Sequence, residues 1–515
     1  MRVRGRRAGT LALLLSAWGC RGRPAPPPPD VLRVAAPFEL TTLDPHAKDL
    51  LSHHSLLANV YESLVFRDAE MALGPALAAR WTSPDPLTWV FELRPGVTFH
   101  DGGPLEAADV AATLERILRD GSLETGFYGR AVSRVRALDA RTVEVKTAEP
   151  SAVLLNKLAF IPIVPRDAAT RPLASHADGT GPYRVAEWAP GSRLRLVRNE
   201  AYWGPKPPFR EVLFRLTRSP GETVGEFAAG RVDLARVTGA DLPDLSAAPR
   251  HGVVRRPSIF VRFLGFDVQR LTSPYVSVTP NPFRSREVRT AVSLALDRRR
   301  LLPRGASRPL PATQLVPAFI FGFDPSLRET VADLEGARAR MAAAGLASGF
   351  EVTLHVREVV ADTAGQVREL LAPLGIRVNV AALPDAEYFA LARGERPSFF
   401  LSRFGCSTGD ASDLFDSALH TPDATRHLGS ANAGGVSDPE VDRLIAESAS
   451  VADVATRRSV LQRLMRHVLD RAYWLPLVLD EDVYLVRDGL AFSPRADGYL
   501  VAAEVGWGAP PGPRR

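Results

Sequence analysis

Cysteine is almost missing: Cys20 and Cys406 are the only two in 515 residues, too few for a disulfide framework. Histidine gives no metal-ligand pattern either, since His53-His54 is an isolated pair and no Cys or His set has zinc spacing. Neither a metal nor any other cofactor is expected. His-Glu-x-x-His does not occur, and His100-Asp101 lies on a turn with a structural explanation, so the pattern argues against an enzyme. No apolar run approaches the ~20 residues of a spanning helix. No repeat in the range of about 20–50 residues is found, which excludes a solenoid. Arginines and lysines are dispersed among acids without interleaved aromatics, which excludes nucleic acid as a partner.

A hydrophobic content of 45% and a charged content of 24% fit a soluble globular protein. The length exceeds what one core usually supports, so two or more lobes are expected. The start of the chain has the parts of an export leader: basic MRVRGRR, the short apolar LALLLSAW, and Ala17-Trp18-Gly19-Cys20 as a lipoprotein processing site. Residues 1–19 are therefore expected to be a signal peptide and Cys20 the lipidated mature N-terminus. Loss of Arg2, Arg4, Arg6 and Arg7 with that leader takes the net charge from +6 to +2. Residues 20–30 form a proline-rich tether that favours an extended polyproline conformation.

The most readable stretch is 88–118. Trp89, Phe91 and Leu93 alternate with Thr88, Val90 and Glu92, the period of a strand buried on one face. Pro95-Gly96 turns the chain so that Val97–Phe99 is expected to return as a short second strand. From Glu106 onward, Ala107, Val110, Leu114, Ile117 and Leu118 recur at helical spacing, with Asp109 in the first turn.

The wording of this unit, FELRPGVTFHDGGPLEAADV, resembles the signature of the family 5 extracytoplasmic solute-binding proteins, the peptide, dipeptide and nickel receptors of ABC importers. One departure is Glu106, where the family usually has Ser or Thr; as an N-cap it is poorer by about 0.5–1 kcal/mol. Further matches follow in family order: Asn59-x-Tyr61, Gly179-Thr180-Gly181-Pro182-Tyr183, Asn199-x-x-Tyr202-Trp203-Gly204, the helix-end Gly230, and Arg289-Thr290-Ala291 before Ala295-Leu296-Asp297-Arg298. The resemblance runs from about residue 31 to 507. It implies an α/β, two-lobe periplasmic-binding-protein-like fold of type II with an extra subdomain in the first lobe, built from mixed sheets flanked by helices. The expected division is 31–266 plus 482–515 for lobe I, with a subdomain at about 72–178, and 267–481 for lobe II. Alternation of strands and helices in lobe II predicts a mostly parallel sheet there.

Receptors of this kind close two lobes on a solute. The resemblance implies a monomeric extracytoplasmic receptor that hands a peptide-like or other small polar solute to ABC permease subunits, held to the membrane by a lipid anchor. A lipid-anchored sensor on the same fold is the alternative. Three loops are candidates for solute contact. Thr41, Thr42 and Asp44 follow the first strand. Phe404, Cys406 and Asp410 follow the strand near Ser398–Leu401; family members often have tryptophan where Cys406 stands, with an aspartate three residues later that pairs with a ligand ammonium, and here Asp410 falls one place late. Arg357 follows the strand near Phe350–Val356 and is the candidate for a ligand carboxylate, which a planar guanidinium grips in bidentate fashion. Asp413 and Asp416 are expected at the surface. On this reading Asp410→Asn and Arg357→Ala weaken binding and leave the fold intact.

Overall fold

One mixed sheet runs through both lobes of the computed structural model, which describes residues 30–237, 249–302, 308–426 and 428–508. The leader, Cys20 and nearly all of the tether lie outside the described residues. In order across the sheet the strands are Arg377–Leu383, Glu351–Arg357, Phe399–Gly405, His251–Phe266, Trp474–Arg487, Leu234–Val237, Val31–Ala36, Glu211–Leu216, Arg193–Arg198 and Tyr183–Ala189. The short Leu310–Pro311 pairs beside Trp474–Arg487. Parallel pairing is confined to Val31–Ala36 with its two neighbours and to Glu351–Arg357 with its two. The mostly parallel sheet expected for lobe II is therefore mixed: the two long strands shared with lobe I enter it antiparallel.

Those two strands connect the lobes. His251–Pro257 pairs with Glu481–Arg487 on the lobe I side, and Phe260–Phe266 pairs with Phe399–Gly405 on the lobe II side. Pro257 stands opposite Glu481 and Val261 opposite Leu479, so two residues bulge from one strand; between Arg262 and Phe263 the extra residue is on the other strand. Bulges increase local twist and bend a strand, and a proline is tolerated at such a place. Each side has its own core. Leu32, Val34, Leu196, Phe214, Tyr484 and Leu500 pack in lobe I, and Leu264, Phe283, Val352, Leu354, Leu401 and Leu475 in lobe II.

The subdomain is a four-stranded antiparallel sheet ordered Ala78–Asp85, Thr88–Leu93, Thr142–Thr147, Val132–Ala137. Helix Ala107–Arg119 buries Val110, Leu114 and Ile117 in the same core as Phe91 and Val143. The predicted return strand is different. Thr88–Leu93 already has neighbours on both edges, so Val97–Phe99 turns instead onto Gly103–Leu105, with Phe99 N donating to Gly103 O at 2.8 Å. Leu118 is exposed. The Glu106 amide donates to Asp109 Oδ2 at 2.8 Å, and the Glu106 carboxylate pairs with Arg166, which offsets its poor capping.

The quoted motifs meet in one knot. Asn59 Nδ2 donates to Ser55, Leu56 and Leu500 carbonyls at 3.1 Å each, while Asn59 Oδ1 accepts from Ala502 N at 2.8 Å. Gly181 N donates to Val60 O at 2.9 Å, and the His100 ring shares a 3.0 Å bond with Gly181 O. Burial holds the His100 imidazole down to about 4. A Cβ on Gly179 would lie 2.1 Å from Val60 O. Gly179→Ala is thus expected to lose about 1–3 kcal/mol, read as a lower urea midpoint; an unchanged midpoint would mean that the 58–61 turn gives way freely.

Candidate functional site

Where the strand Phe399–Gly405 ends, the chain runs along the boundary between the lobes, and bonds from lobe I reach it. Arg67 donates to Ser407 O, and Asn156 Nδ2 donates to Thr408 O at 2.9 Å. Ala152 N donates to Ala449 O at 3.1 Å. Met71 of lobe I packs in the lobe II cluster of Leu414, Phe415 and Leu461. These contacts describe a closed arrangement. Between the subdomain and lobe II lies a cavity of about 1010 Å³, whose wall includes Trp89, Phe319, Phe321, Asp410 and Arg457.

Asp410 is buried, and both its oxygens are taken. Arg457 donates to them at 2.6 and 2.9 Å, and Ser412 N donates to Oδ1 at 3.0 Å. Arg457 is placed by helix Val454–Asp470, whose N-terminus is capped by Asp453 accepting from Thr456 N at 2.8 Å. Its guanidinium also lies 5.1 Å from the Phe321 ring centre.

Asp413 and Asp416 are not the surface groups expected from sequence. Lobe I residues lie against them: Lys157 Nζ is 4.0 Å from Asp416 Oδ2, and Asp49 and Lys157 act electrostatically on Asp413. Burial is the main cause that pushes the Asp413 acid up to about 7, with Asp49 and Asp416 adding to it; burial raises Asp416 too. Tyr128 OH donates to Asp49 at 2.9 Å and feels the charge of Asp413. The His54 ring is 2.8 Å from Asp49, and Tyr128 stacks on Phe160 at 4.4 Å.

The sequence profile described as bacterial extracellular solute-binding proteins, family 5 Middle, matches residues 72–426. The chain belongs to that family. Among curated relatives, the glutathione-binding protein GsiB of Shigella dysenteriae serotype 1 is 26% identical over 501 residues, covering 92% of each chain. Among solved structures, the ABC transporter substrate-binding protein CtaP of Listeria monocytogenes aligns with a TM-score of 0.80 at 19% identity, over 93% of this chain and 99% of CtaP. The periplasmic binding protein DppA of Helicobacter pylori, solved with the peptide STSA, gives 0.76 at 21% identity, over 93% and 98%.

In this family 5 protein the remaining predicted contacts fall apart into separate places. Thr41 is exposed, while Thr42 Oγ1 accepts from Asp44 N at 3.2 Å and donates to Ala174 O at 3.4 Å. Asp44 is ion-paired with Arg116 and lines a surface groove with Arg119 and Arg166. Phe404 is half-buried, 6.4 Å from the Trp474 ring, which stacks on Phe263 at 3.7 Å. Cys406 is buried, and burial raises its thiol well above the usual range. Arg357 Nε donates to Asp385 at 2.9 Å, its guanidinium lies 4.8 Å from Phe389, and it is not part of the wall of the 1010 Å³ cavity. Arg357 and Asp410 therefore do not share that cavity.

Sequence reading missed Arg403. It sits 4.3 Å from the Phe260 ring and 3.5 Å from Asp480, with Nε buried and unpartnered. Burial, together with the charges of Arg357, Arg236 and Arg262, lowers it. The signal was available, since an arginine inside the apolar run Phe399–Phe404 has to meet a partner or a ligand.

Proposed function

We propose that this family 5 protein receives a peptide-like or other small polar solute and delivers it to the permease of an ABC importer. The closed cleft, bridged from Arg67 and Asn156 to the 407–408 carbonyls, is the observation that carries the reading, because it encloses polar side chains from both lobes. Likeness to a glutathione-binding protein and to a receptor solved with a peptide supports the solute class. Among the described residues no helix is long and apolar enough to cross a membrane. Attachment is through Cys20 as a lipidated N-terminus behind the 1–19 leader, and the working unit is a monomer.

Lobe I comprises 31 to about 257 and 482–515, with the subdomain at about 72–178, and lobe II runs from about 261 to 481, so the first crossing falls a few residues before the expected 266. The register shift between Pro257 and Val261, together with the pairing to Phe399–Gly405 that begins at Phe260, supports this crossing. The solute lies along Phe404 and the 405–416 segment. Arg357 serves its carboxylate end: its partner Asp385 is more than half exposed, so a solute carboxylate can reach the guanidinium and take its place.

Native mass spectrometry of gently purified protein, followed by denaturation, is expected to release a small organic solute unchanged in mass. Adding that solute back should alter the scattering radius or the tryptophan fluorescence of stripped protein. Chemical turnover of the solute would overturn the receptor reading.

A further inference from the structure

We infer that the cavity of about 1010 Å³ between the subdomain and lobe II is a binding site of its own, for an aromatic group that carries an anion. This goes beyond the receptor reading. The cavity wall includes neither Phe404 nor Arg357, and it meets the segment along which the solute lies only at Gly409 and Asp410.

Lobe II gives the cavity an aromatic wall. Phe319, Phe321 and Phe323 all line it, and each is left half-buried although it packs on the core of that lobe. The segment that presents them is fixed. Phe321 N donates to Gly409 O and Ala411 N to Phe321 O, both at 2.9 Å, and Gln462 Nε2 donates to Phe323 O at 2.8 Å. A Cβ on Gly322, whose φ is 97°, would lie 2.9 Å from the Ala411 Cβ, so this close approach requires glycine. From the subdomain come Trp89 and Pro86. The bonds from Ala152 N to Ala449 O and from Asn156 to Thr408 O draw the two walls together. Small-molecule pockets run to about 300–1,000 Å³, so the space admits a ring system with room to spare.

The charges in the wall add an anion to that ring. Four charged side chains line the cavity. Glu70 is held by Arg256 at 2.6 Å, and Asp410 is held by Arg457. Arg458 is left over: it is exposed, its guanidinium lies 5.0 Å from the Phe321 ring centre, and among the described residues it has no acid partner. A guanidinium set against a phenylalanine still offers its planar fork to a carboxylate, while the neighbouring rings receive an aromatic group by offset or edge contact. An aromatic cation is repelled by Arg458, and an acid without a ring leaves the phenylalanines uncovered. The same chemistry belongs to an acidic, aromatic end of a long solute entering past Gly409 and to a separate small acid.

The test uses the full chain, stripped of solute, and three probes of similar shape: phenylacetate, phenylacetamide and phenethylamine. Binding is read by native mass spectrometry and by tryptophan fluorescence, to which Trp89 contributes from the wall. Phenylacetate is expected to bind about tenfold more tightly than the amide, and the amine least. Arg458→Gln should bring phenylacetate down to the level of the amide and leave the melting temperature unchanged, because Arg458 has no partner to lose. Trp89→Phe should keep the binding and remove most of the fluorescence response. Equal binding of the three probes, no binding of phenylacetate, or an Arg458→Gln protein that still prefers the acid overturns the inference. A pool of random tripeptides then separates the two sources. Complexes that hold a tripeptide and phenylacetate together assign the cavity to a separate acid, and mutual exclusion assigns it to the solute's own aromatic end. If phenylacetate binds as expected and no tripeptide is retained, the cavity site stands and the peptide reading of the solute falls.

Discussion

Arg457→Met is expected to lower stability by about 3–5 kcal/mol, because it leaves the Asp410 carboxylate buried without its counter-ion. The side chains of both partners are more than nine-tenths buried, so water cannot take over the lost bonds. The double variant Arg457→Met, Asp410→Leu should recover most of the loss, since a well-packed apolar pair in place of a buried ion pair is often neutral. Thermal melts of the parent, the two single variants and the double variant form the cycle. A single variant that melts with the parent would show that the pair is not desolvated. The same argument changes what Asp410→Asn reports: a drop in binding by that variant has to be corrected for damage to the loop and helix that Arg457 joins.

Arg495→Met is expected to lose a similar amount, about 3–5 kcal/mol, in the other lobe. Arg495 is buried and donates to Asp497 at 2.7 and 3.0 Å, to Glu504 at 2.8 Å, and to the carbonyls of Arg67 and Asp68 at 2.8 and 3.1 Å. Its removal leaves the buried Asp497 carboxylate without its cation and frees the turn that positions Arg67. Hydrogen exchange should accelerate at 67–70 and 495–504 together. Acceleration confined to 495–504 would mean that the turn is held by other contacts, such as Ala496 N to Ala69 O at 2.8 Å.

What could be read from sequence was local. Thr88–Leu93 announced itself through alternation, helix Ala107–Arg119 through its spacing, and Gly179 and Gly181 through the close approach they allow to Val60. The motifs that carry the family resemblance turned out to be scaffold: Asn59, Gly181 and Asn199 hold one another in lobe I. The full length of the two crossing strands is not legible in the chain, because Arg255, Arg256 and Pro257 on one and Asp480, Glu481 and Asp482 on the other look like strand ends. In the fold these charges answer one another and their neighbours, with Arg262 at 2.6 Å from Asp480 and Arg236 at 2.7 Å from Asp482. The surroundings of Asp413 were hidden for a different reason. Nothing near Asp413 in the chain tells that Asp49, Tyr128 and Lys157 cover it, because that is decided by how one lobe lies against the other.

The paired strands His251–Phe266 and Trp474–Arg487 also set the mechanics of the molecule. A hydrogen-bonded ribbon resists stretching and sliding, and it yields most readily to torsion where bulges have loosened the ladder, at Pro257–Val261 and Arg262–Phe263. Any opening of the cleft is thereby channelled into one arc, like a door on a torsion bar, and every return brings the two faces back in the same alignment. A flexible tether between lobes would let them meet in many orientations, and the residues that face one another across the cleft would then lose their alignment.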